Sequence, residues 1–109
     1  MAYNTLSSRD PDNPLAIEIR QEMAAAYFAA CRKMVDCLDA LKAFDRDASS
    51  KLANQQLARR SELLDEAAER VLFVLIQREA MKLSGYDQFF EDYGVPDEVK
   101  RRLGTSREK

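Results

Sequence analysis

The chain has 109 residues, the span of one domain and not of two. Hydrophobic residues make up 46% and charged ones 33%, with only three Gly and three Pro; this excludes a collagen-like or wholly disordered chain and favours helix. Seventeen basic residues against nineteen acidic give a net charge of −2, and no block carries the strong single-sign field that phosphate neutralisation or an anionic membrane demands.

Residues 1–12 are polar and aperiodic and are expected to form a flexible arm. They contain no apolar leader segment, and no stretch of the chain approaches the ~18 apolar residues of a membrane span. The expectation is a cytoplasmic protein with no membrane association. Asn13-Pro14 is a helix start, with Asn as cap and Pro at the first helical position. From Pro14 to about Phe44 nothing breaks the pattern. Ile17, Ala24, Tyr27, Cys31, Met34, Leu38 and Leu41 follow the three-and-four spacing of one helical stripe, interrupted only by Arg20. Met23, Ala30, Cys37 and Phe44 widen it on one flank.

Asp45 to Ser50 has no apolar pattern and predicts a turn, with Ser50 capping a second long helix. Leu57, Leu64, Ala67, Val71, Val74 and Met81 form its main stripe, ending near Ser84 with Gly85 as cap; Ser61 is a rival start. Residues Val71 to Ile76 are apolar on every side, which requires cover on every side. Part of that cover is expected from a short helix over Tyr86–Tyr93, closed by Gly94, and another opened by Pro96 and ended by Gly104. Residues 13–104 thus read as one all-α domain, a long antiparallel helical hairpin plus two short C-terminal helices, with 105–109 a frayed tail. Two short helices cannot cover a hairpin some 45 Å long. A homodimer with a four-helix core is therefore expected.

Three pieces of sequence bear on kinship: Glu18-Ile19-Arg20-Gln21-Glu22, Gln77-Arg78-Glu79 and Tyr93-Gly94-Val95-Pro96-Asp97-Glu98-Val99. In this order and spacing they resemble a family of small bacterial proteins of unknown function, over roughly residues 14–104. The resemblance implies an all-helical fold and a bacterial cytoplasmic origin, and it implies no catalytic residue.

Candidates for chemistry are few. The chain has no His, which removes the commonest metal ligand and general base. Cys31 and Cys37 read as buried small hydrophobes in a reducing compartment. Asp36 and Asp39 on the first helix, with Glu62, Asp65, Glu66 and Glu69 on the second, offer the carboxylate pairs with which all-α nucleotide pyrophosphohydrolases hold Mg²⁺. They lie outside the apolar stripes, however, and the favoured reading is a solvated face with no metal and no other cofactor. Residues 86–103 resemble a helix-turn-helix followed by Lys100, Arg101 and Arg102, but Phe90 stands where that unit wants a small residue. A capped helix pair closing over the core is preferred to a weak DNA binder. Arg20 and Arg78 fall on core stripes, with Glu22, Gln77 and Glu79 beside them. These five residues are expected to form a semi-buried network that sets register within the hairpin or across a dimer seam. An anion cleft between the two arginines is the alternative. The expected function is a non-catalytic, dimeric interaction or accessory protein, with a Mg²⁺-dependent phosphohydrolase as the runner-up.

Overall fold

A computed structural model describes residues 13–48 and 53–107. The expected N-terminal arm, the Ser50 cap and residues 108–109 of the expected tail lie outside the described residues. Four helices follow one another: α1 (Pro14–Asp47), α2 (Asn54–Ala80), α3 (Tyr86–Tyr93) and α4 (Asp97–Arg107). No strand occurs among the described residues.

The start of α1 is set by Asn13, whose side chain accepts a 2.8 Å hydrogen bond from the Leu15 N–H, with Pro14 following. The helix runs on to Asp47, past the turn expected from Asp45. Asp45 is drawn into an ion pair with Arg60 on α2, and Arg46 lies in the last turn where a cation suits the helix dipole. α2 begins at Asn54, near the earlier of the two expected starts. The Gln56 side chain closes this end by accepting from the Ala53 N–H at 3.0 Å.

α2 stops at Ala80, short of Ser84. Lys82 takes a left-handed conformation (φ 61°), and the Lys82 and Leu83 N–H groups return to the carbonyls of Glu79 and Arg78. That is the paired-bond helix stop usually made by glycine. Gly85, expected to cap α2, instead precedes α3 (φ 83°). The same paired-bond stop closes α3 at Gly94, as its position predicts: Gly94 N–H bonds Glu91 and Val95 N–H bonds Phe90. α4 continues through Gly104 to Arg107. An interior glycine costs a helix only about 1 kcal/mol, and no proline follows to force a stop, so α4 runs past the expected end at Gly104.

The long helices run antiparallel in one register. Tyr27 meets Arg78 and Asp45 meets Arg60, 18 residues apart on each helix. Cys31, Met34, Leu38 and Leu41 of the predicted stripe are buried against Leu64, Ala67, Val71 and Val74. α4 packs on α2, and Phe89, Val95 and Val99 complete this core. The core occupies only the C-terminal half of α1. α2 ends level with Met23, since Met23 shares a hollow with Ala80 and Met81. The nine residues Pro14–Glu22 therefore overhang α2 by about 13 Å. Ile17, expected on the core stripe, is exposed there, as are Leu15 and Ile19.

Candidate interaction surface

Three elements meet at the open end of the hairpin around Arg78. Its guanidinium donates to the Tyr27 hydroxyl oxygen at 3.0 Å and to the Ser84 carbonyl at 2.7 Å, and lies 4.9 Å from the centre of the Phe89 ring. The arginine thus ties α2 to α1, to the turn after α2, and to α3. Phe89 in turn packs against Tyr93 at 5.0 Å between ring centres. Burial pushes the phenols of Tyr27 and Tyr93 above their ordinary range; the adjoining Cys31 thiol adds to this, while Arg78 pulls the other way. The cluster fixes where α3 turns back, and it leaves the Arg78 Nε buried without a hydrogen-bond partner.

At the other end, Arg60 clamps three helices. It donates to both carboxylate oxygens of Glu98 at 2.8 Å and to both of Asp45 at 2.8 and 3.0 Å. These bonds to Arg60 hold the Asp45 and Glu98 carboxyls below their usual range. Arg102 adds a second tie from α4 to α2, donating to Asp65 at 2.6 Å and to the Ser61 hydroxyl at 3.2 Å. Arg60, Asp45 and Glu98 are far apart in the sequence, and no spacing there links them. Arg60 alone carries a signal: it sits on the row Leu64, Ala67, Val71, Val74, Arg78, one step before the first apolar member.

Between α1 and α2, on the side away from α4, lies an uncovered face. Two hollows divide it. One, of about 150 Å³, is lined by Met23, Ala26, Gln77, Ala80 and Met81; the other, of about 250 Å³, by Ala26, Ala29, Ala30, Lys33, Arg70, Phe73 and Gln77. Gln77 belongs to both, and its Oε1 is buried without a hydrogen-bond partner. Of the all-round apolar run on α2, Val71 and Val74 are buried, Leu72 and Leu75 half-buried, and Phe73 and Ile76 remain 51% and 57% exposed.

The predicted register residues do not come together as expected within the chain. Arg78 bonds Tyr27 and Ser84 in place of Glu22 or Glu79, and Arg20 stands on the overhang, two turns past the residue level with Arg78. The cause is the early stop of α2 and a register that sets Tyr27 opposite Arg78. Arg20, Glu22 and Glu79 are exposed, and Gln77 is half-buried.

The six acidic candidates, Asp36, Asp39, Glu62, Asp65, Glu66 and Glu69, are all exposed. Asp65 is engaged by Arg102 and Glu62 lies 3.7 Å from Arg59. No group of three His, Cys, Asp or Glu able to hold a metal occurs among the described residues. Cys31 and Cys37 are free thiols, and burial pushes that of Cys37 up. In the C-terminal pair, Lys100 lies 5.3 Å from the Phe90 ring centre and 3.2 Å from Asp97. With Arg102 on Asp65, two of the three cations of the run Lys100, Arg101 and Arg102 are turned to contacts within the chain. No helix among the described residues is long and apolar enough to cross a membrane.

Comparison with known proteins finds no matching family model, no matching curated protein and no matching solved structure.

Proposed function

We propose that this protein works without catalysis, as a homodimeric interaction or accessory protein of the bacterial cytoplasm. Its working surface is the uncovered α1–α2 face. One observation carries the reading: Phe73 and Ile76 stand exposed in an apolar run whose other four members are buried or half-buried within the chain. Phe73 borders an alanine-lined groove, and a large apolar side chain exposed there marks an interaction surface. A second hairpin laid on it gives the four-helix arrangement that buries Phe73.

The test is thermal melting across a hundredfold range of protein concentration. Coupled unfolding and dissociation of a dimer raises the melting temperature by about 6 °C over that range. A melting temperature independent of concentration overturns the homodimer.

A further inference from the structure

The residues of the exposed face are spaced symmetrically about one height of the hairpin. A two-fold interface requires that when residue i of one protomer touches residue j of the other, j also touches i. On α1, Glu22, Ala26, Ala29 and Lys33 follow the four-three-four spacing that puts them on one strip. The strip is small at its centre and oppositely charged at its ends. Its midpoint falls at Tyr27–Phe28. On α2, the exposed Phe73 and the hollow-lining Ala80 have their midpoint at Ile76–Gln77. These two midpoints lie at the same height of the hairpin, because Ala26 and Gln77 line one hollow and Tyr27 meets Arg78 one residue further along.

We propose that a second copy docks here, antiparallel, with the two-fold axis passing beside Gln77. Phe73 of each protomer fills the hollow between Met23 and Ala80 of the other, and Glu22 of each faces Lys33 of the other. This rests on the homodimer reading above and adds the face, the direction and the register. The alanines let the two α1 helices approach closely. The charges, about 16 Å apart along each strip, attract at both ends only when the copies run antiparallel; a parallel pairing sets Glu22 against Glu22 and Lys33 against Lys33. At the axis the two Gln77 amides lie beside one another, so the Oε1 that lacks a partner within the chain gains a donor from the other amide.

The experiment measures dimer dissociation by sedimentation velocity for the intact chain and for Glu22→Lys, Lys33→Glu, the two combined, and Phe73→Ala. Glu22, Lys33 and Phe73 are exposed in the single chain, so each variant is expected to keep the helical circular dichroism of the parent. Each single reversal weakens the dimer about tenfold, and the combined variant returns to within about threefold of the parent. Phe73→Ala weakens it at least about thirtyfold. A parent dimer that Phe73→Ala and both reversals leave unchanged overturns this face while the homodimer stands. A combined variant no tighter than the single reversals overturns the antiparallel register. A parent that stays monomeric overturns both readings.

Discussion

Arg78 on α2 and Tyr27 on α1, 51 positions apart in the chain, are joined by a 3.0 Å hydrogen bond that places the two helices in register at the open end of the hairpin. The bond matters because Arg78 also holds the Ser84 carbonyl and the Phe89 ring, so one side chain positions α1, α3 and the turn between α2 and α3. Tyr27→Phe removes the acceptor and leaves a half-buried guanidinium N–H unpaired. The expected loss is about 1 kcal/mol, a fall in melting temperature of about 4–8 °C. Unchanged melting on this substitution means that the bond contributes nothing to register.

Arg60 plays the matching part at the closed end, with Asp45 and Glu98. Both carboxyls are held below their ordinary range by bonds to Arg60. A carboxyl whose folded pKa is lowered stabilises the fold above its unfolded pKa, about 4, and loses that contribution as pH falls through the lower folded value. Stability from this clamp is therefore complete above about pH 5 and is lost progressively below pH 4. Arg60→Met is expected to cost about 1–2 kcal/mol at pH 7 and to flatten the acid-side loss seen in denaturant unfolding. Equal acid sensitivity in parent and variant contradicts the assignment.

Lys82 stands in a left-handed conformation at the end of α2, where a Cβ is unfavourable. The side chain is exposed, so glycine loses little there. Lys82→Gly is expected to stabilise the fold by about 0.5–1 kcal/mol, read as a higher urea midpoint with unchanged slope. A lower midpoint shows that the turn is held by the lysine itself.

The parts of the fold legible in sequence were those with a local chemical signature. Asn13-Pro14 announces the start of α1, Gly94 the stop of α3, and the spacing of Cys31, Met34, Leu38 and Leu41 the buried stripe. The stop of α2 was not legible, because a left-handed Lys82 has no signature and Gly85 offered a more conventional one. That three-residue difference leaves the end of α2 level with Met23, and Ile17, expected on the core stripe, lies beyond it and is exposed. Arg78 stands out in the sequence because it breaks an apolar row. Arg60 breaks the same row at its other end, but it lies before the apolar run begins and so reads as surface. Its partners, Asp45 and Glu98, come from two other helices, and only the packing of α4 on α2 brings all three together. Of the candidate site, the exposed Phe73 and Ile76 were implied by an apolar run too wide for its neighbours. The hollow beside Ala80 and the unpartnered Gln77 Oε1 depend on helix register and have no mark in the sequence.

Solution mass, measured by light scattering over a hundredfold range of concentration, bears most directly on the α1–α2 face as an interface between copies. The chain mass is 12.5 kDa, so a steady value of twice that, about 25 kDa, is expected. A value that stays at the single-chain mass throughout contradicts the homodimer and leaves Phe73 and Ile76 exposed to solvent.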